Sequence, residues 1–199
     1  SEAASNARGQ QVFKELFSAT LRNVVFLLVP VSVLFLILRA QIIRVLYGTG
    51  AFDWNATITT ADALAFFALG LLAQSLIPLL ARAFYAYSDT KTPFYISIFS
   101  EICTLLTALA LMYPPLGLAA RVPELSGVAG LALASSLGVT ANALALYYYL
   151  NKKTGGLENA RLFVLLIKTA VAGFGMAIVT QLLKYPIAAL LDTSRGWGI

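Results

Sequence analysis

Histidine is absent from this 199-residue chain, and cysteine occurs once, as Cys103. The first absence removes the commonest metal ligand and the commonest general base together. The second excludes a disulfide framework or a thiolate metal site built within the chain. Charge is scarce as well: 12% of the residues are Asp, Glu, Lys or Arg, against about 25% in a soluble domain. No Asp-rich cluster is available to hold Mg²⁺, and no phosphate-binding glycine pattern follows Gly48 and Gly50. Catalysis is therefore not expected, and neither a cofactor nor a metal is.

Apolar side chains are abundant. They make up 59% of the chain, and the mean hydropathy is +0.81, values that point to lipid rather than water as the solvent. The formal net charge of +5 would suggest a nucleic-acid partner in a soluble protein. Here the basic residues sit at the ends of apolar runs, where juxtamembrane charge explains them and no nucleic acid is expected.

A membrane-crossing helix needs roughly 20 mainly apolar residues, and five stretches approach that length: 23–38, 63–81, 93–113, 128–150 and 162–183. The fold class expected is all-α, a polytopic membrane protein of about five spans. Pro30 and Pro78 fall inside spans, with a kink expected at Pro30, while Pro93 suits a first helical turn. Ahead of the first span, residues 7–22 place Val12, Phe13, Leu16, Phe17 and Leu21 at helical spacing opposite Arg8, Lys14 and Glu15. The pattern fits an amphipathic helix on the cytoplasmic membrane surface over 1–22, or a helix packed between spans. Residues 184–199 are expected to form an external loop, although 185–191 can also be the end of the fifth span or a short interfacial piece. The chain opens SEAASNARGQ, with neither an initiator Met nor the order of a signal peptide, and closes DTSRGWGI after a polar stretch. It is expected to be a piece of a longer protein.

Five alternating spans divide the loops into two sets. One holds Arg8, Lys14, Arg22, Arg82, Lys91, Lys152, Lys153 and Arg161; the other holds Arg39, Arg44, Arg121, Lys184 and Arg195. The richer set is expected on the cytoplasmic side. Tyr147, Tyr148 and Tyr149 ahead of Lys152 and Lys153 read as an aromatic interface anchor.

Small residues recur at four-residue spacing as Gly130, Ala134, Gly138 and Asn142 on the fourth span, and as Thr169, Gly173, Ala177 and Gln181 on the fifth. Such ridges allow close backbone approach, either as fixed packing or as a surface that slides. Two ionisable residues lie inside spans, Glu101 about 12 Å past Pro93 and Lys168 about 9 Å past Leu162. Each costs about 2.5–3.5 kcal/mol in lipid. They are expected to pair with each other or to line a polar cavity, unless Lys168 snorkels and Glu101 is neutral or paired elsewhere. Thr140 and Asn142 can add oxygen ligands for a coupling ion or serve as packing hydrogen bonds.

Two segments carry a resemblance. YGTGAFD (Tyr47 to Asp53), a short Thr-rich run, a span, and then ARAFYAYSDTKTP (Ala81 to Pro93) resemble, in order and spacing, the MurJ or MviN family of lipid II flippases in the MOP exporter superfamily. The resemblance covers essentially the whole chain and implies spans nine to thirteen of a fourteen-span, two-lobe transporter. It implies alternating-access export of lipid-linked peptidoglycan precursor across the bacterial cytoplasmic membrane. The partners implied are lipid II, membrane lipid and the N-terminal lobe; the family's cavity arginines fall mostly outside this chain. Arg82, Phe84, Tyr85, Asp89, Thr90, Lys91, Thr92 and Pro93 match the family's loop, with a part in gating or cytoplasmic closure, while Asp89 or Thr90 also suits a helix cap. Other exporters of the superfamily, a polyprenyl-phosphate enzyme and a non-transporting scaffold are the rival readings. The enzyme would need acidic or histidine clusters at a membrane face, and the sequence shows none.

Overall fold

The computed structural model describes residues 2–47, 54–112, 127–156 and 159–190. They form five helices, α1 (Glu2–Tyr47), α2 (Trp54–Ala86), α3 (Lys91–Met112), α4 (Val128–Thr154) and α5 (Asn159–Leu190). There is no strand among the described residues. All five helices are long and apolar enough to cross a bilayer. The protein is thus all-α and polytopic, with the described residues of each expected span inside one helix. Residues 48–53, which carry most of the YGTGAFD segment, and 113–126 lie outside the described residues.

α1 has 46 residues, about 69 Å of helix, where the hydrocarbon needs only about 30 Å. The amphipathic segment and the first span are therefore one unbroken helix that runs through Pro30. Part of its apolar stripe packs against protein: Phe13, Phe17 and Leu21 do, while Val12 and Leu16 are exposed. Phe13 stacks on Phe17 at 5.9 Å and meets Tyr87 edge-on at 5.3 Å. Phe17, Leu21 and Val25 are buried with Leu80, Phe84, Leu146, Leu150 and Leu162. This core ties the ends of four helices together, which explains why α1 continues past the span. At the other extreme of the chain α5 is helical through Leu190, so 184–190 extend the fifth helix rather than belonging to a loop; 191–199 lie outside the described residues.

The helices are ranked α3, α4, α2, α1, α5. α4 packs on both α2 and α3, α2 on α1, and α1 on α5, whereas the consecutive helices α2 and α3 barely touch. Small residues on α4 set this order. The Ser136 hydroxyl donates to the Phe66 carbonyl of α2 at 2.5 Å, and a Cβ on Gly70 would stand 3.1 Å from the Ser136 Cα. On another face of α4, Ser100 of α3 donates to the Gly138 carbonyl at 2.8 Å, and Ala134 is buried with Ala108 and Leu111. Gly130, Ala134 and Gly138 are thus one packed ridge. The second ridge is used similarly at Gly173, where a Cβ would lie 3.0 Å from Val33 of α1.

A Cβ at Gly138 would fall 1.6 Å from Thr104 Oγ1 and 2.8 Å from Thr104 Cβ, while one at Gly175 meets nothing within 4 Å. Gly138→Ala is therefore expected to destabilise the protein by about 1–3 kcal/mol through overpacking. Gly175→Ala should be neutral or stabilising by up to about 1 kcal/mol. Unfolding of the two variants in detergent micelles, compared with wild type, measures the difference.

Candidate functional site

The family-like segment 81–93 forms the end of α2, a tight turn and the start of α3. Ser88 holds φ at 55°, its N–H bonds the Tyr85 carbonyl at 2.9 Å, and the Asp89 N–H bonds the Phe84 carbonyl at 3.0 Å. This is a Schellman ending with serine where glycine is usual. It swings Asp89 onto the first turn of α3, where Oδ1 accepts the Thr92 N–H at 3.0 Å and Oδ2 the Thr92 hydroxyl at 2.8 Å. Of the two expected caps, Asp89 is the one that acts.

Asp89 also reaches across the bundle. Its Oδ2 accepts a hydrogen bond from Lys153 Nζ, at the end of α4, at 2.5 Å. Lys153 lies 5.9 Å from the ring centroid of the fully buried Phe84. The Lys153 ammonium, then the Thr92 donors, hold the Asp89 carboxyl down at about 2. Lys14 of α1 approaches the same corner beside Gly155. The basic residues Lys14, Arg22, Arg82, Lys91, Lys152, Lys153 and Arg161 therefore gather at one end of the bundle, the end that the charge bias assigns to the cytoplasm.

The segment divides by face. Phe84, Asp89 and Thr92 turn inward to the core and to α4, while Tyr85, Thr90, Lys91 and Pro93 line an open cleft between α2 and α3. With Ile77, Tyr95 and Ser97 they enclose about 740 Å³. One ammonium group, two phenols and two hydroxyls suit a polar or anionic group rather than a hydrocarbon chain. Arg82 is exposed beside the cleft.

The intramembrane candidates are dispersed. Glu101 is exposed ten residues into α3, with Ile98, Ile102 and Leu105 exposed around it. Lys168 is exposed nine residues into α5. These helices lie at opposite ends of the row, and no ion pair joins the two residues among the described ones. The pairing alternative is not realised within this chain, because α4, α2 and α1 stand between the two charges. Thr140 and Asn142 are not brought together either, since two positions along a helix differ by about 200°. Thr140 lines an apolar cavity and donates to the Ser136 carbonyl at 2.7 Å. Asn142 follows the α3-facing ridge, and its Oδ1 is buried without a partner among the described residues.

Sequence reading missed an ion pair at the opposite end, Arg39 of α1 with Asp62 of α2 at 3.4 Å. The signal was available: one charge closes the first span and the other opens the second, which places them level on antiparallel neighbours. Both are about half exposed, at 45% and 40%, so the pair contributes at most about 1 kcal/mol.

The model of the family described as lipid II flippase MurJ matches residues 1–193. The chain belongs to this family. It is similar to the probable lipid II flippase MurJ of Rhizobium tropici, 38% identical over 65% of this chain and 22% of that protein. It is 35% identical to the lipid II flippase MurJ of Burkholderia cenocepacia over 66% and 23% of the respective chains. The probable lipid II flippase MurJ of Haemophilus influenzae is 28% identical over 86% and 31%. The chain thus spans less than a third of the length of each of these relatives.

The corner around Asp89 makes a defined prediction. A carboxyl whose pKa falls from 3.8 to about 2 on folding stabilises the fold fully above its unfolded pKa. That contribution is lost as the pH falls through about 4 to 2. Asp89→Asn should therefore lower the unfolding temperature at pH 7 and remove this component of acid sensitivity. Lys153→Gln in the Asp89→Asn background should cost little more, a non-additivity measured by a double-mutant cycle.

Proposed function

We propose that this chain is part of the C-terminal lobe of a lipid II flippase in the bacterial cytoplasmic membrane. The observation that carries the reading is the family match across residues 1–193, which falls on a five-helix membrane structure. The substrate is the lipid-linked peptidoglycan precursor. Its pyrophosphate and sugars cannot enter hydrocarbon, so a water-filled path between two lobes must carry them while the prenyl tail stays in lipid. Membrane lipid and the N-terminal lobe are the other partners.

In this reading Glu101 and Lys168 face polar surfaces contributed by the rest of the transporter. A lone charge in an otherwise apolar exposed helix face is costly against lipid, and Glu101 stands in such a face. The ridges of α4 act as fixed packing, so α2, α3 and α4 move as one body. The inward half of the 81–93 segment holds the cytoplasmic corner shut between α2, α3 and α4. Its outward half, with Tyr85 and Lys91, borders the route by which a phosphorylated head group arrives. Asn142, with its unpartnered carbonyl oxygen, and Thr140 are polar positions at which α4 can respond to an ion.

The test is lipid II accessibility at the outer leaflet of bacteria depleted of their own flippase and given the full-length parent of this chain. Wild type should restore accessibility, and Glu101→Gln or Lys168→Met should reduce it by at least about tenfold if a partly buried charge interaction worth ~1.4 kcal/mol or more is lost. Immunoblotting controls for the amount of protein. A well-inserted wild-type protein that restores nothing would move the substrate assignment to another exporter class.

A further inference from the structure

Four helices line an apolar cavity of about 680 Å³, and among the described residues that line it only Thr140 and Tyr147 bear a polar side chain. α1 and α2 pack on each other and form its floor, where Leu21, Val25 and Leu80 are 1–3% exposed. α4 and α5 form its walls. They pack on α2 and α1 respectively; among the described residues their backbones scarcely approach each other, and their side chains share the buried cluster at one end, where Leu146 and Leu150 of α4 lie with Leu162 of α5. The result is a groove, open between α4 and α5, whose rim carries Leu69, Leu144 and Phe163 at 56%, 64% and 65% exposure.

Close-packed proteins do not keep apolar voids of this size. Even α2 and α4, the helices with the most neighbours, have only 33% of their most apolar windows buried. Two walls that pack on the floor and come together at one end, with their backbones apart beyond it, leave room there for a body one helix wide, since packed helix axes stand about 8–10 Å apart. Small residues at Ala73, Thr140 and Ala143 give the groove the close-approach surface that membrane helices use. The chain covers 22–31% of the relatives described above, so most of a full-length member lies outside it.

We propose that this groove is an intramolecular interface that receives a membrane-spanning helix from the part of the full-length protein outside residues 1–199. The helix presents an apolar face without ionised groups, because the groove offers no charge to pair with. This proposal rests on family membership but not on the substrate, so it can fail while the flippase reading stands.

The test places a photo-crosslinker in the full-length parent in native membranes, as Phe163→p-benzoylphenylalanine and, separately, Leu144→p-benzoylphenylalanine, followed by peptide mapping. Both positions are expected to capture a single peptide from outside this chain. Ala143→Phe, which fills the groove, should abolish that product in protein that still inserts. Capture of phospholipid alone, or only of residues within 1–199, would overturn the proposal. Because the readout is covalent capture, it is scored whether or not lipid II is transported.

Discussion

Water does not compete for hydrogen bonds inside the hydrocarbon, so a carbonyl on a membrane helix can be approached only by protein. α4 uses this on two faces. Ser136 donates out to the Phe66 carbonyl of α2, while the Gly138 carbonyl accepts from Ser100 of α3. Both bonds require backbones close together, and Gly70 and Gly138 supply the space. The order of the helices follows, since a helix that binds α2 on one face and α3 on another must lie between them. That is why α2 and α3, joined by a short turn, scarcely meet.

The turn between them is held from below. Its Schellman geometry directs Asp89 to cap α3 and to meet Lys153 of α4. The stacked Phe13 and Phe17 bring α1 to the same corner through Tyr87. α4 is thus anchored along its middle by small residues and at the end rich in basic residues by an ion pair, and α5 joins the assembly through α1. The charged residues that the membrane tolerates least, Glu101 and Lys168, are displaced to the outermost helices.

Much of this was written in local sequence. The five spans are visible because hydrocarbon thickness sets a length that apolar runs must meet. The start of α3 is visible because DTKTP places a cap acceptor three residues before Thr92 and a proline in the first turn. The contact at Gly138 follows from four-residue spacing of small side chains. Other features depend on pairings that no local period encodes. Lys153 lies 64 residues from Asp89, and nothing near either position identifies the partner. Extension of α1 beyond its span depended on whether the Phe13 and Phe17 stripe met lipid or protein, a choice made by Tyr87 and Phe84. Glu101 and Lys168 are at similar depths, which suggested a pair, but depth carries no information about which side of a bundle a helix occupies. The divergence of Thr140 from Asn142, by contrast, follows from helical geometry alone.

In the proposed function α4 is a fixed strut and not a sliding surface. In a full-length parent with Cys103→Ser, Gly70→Cys and Ser136→Cys bring the two sulfur-bearing positions close, since a Cβ on Gly70 lies 3.2 Å from the Ser136 Cβ, near the spacing that a disulfide spans. Oxidation in membranes should join α2 to α4 in nearly all molecules. The joined protein should still support growth of flippase-depleted cells and outer-leaflet lipid II accessibility as well as the reduced protein does. Loss of both on oxidation, with recovery on reduction, would show that α2 and α4 must slide and would contradict the fixed strut.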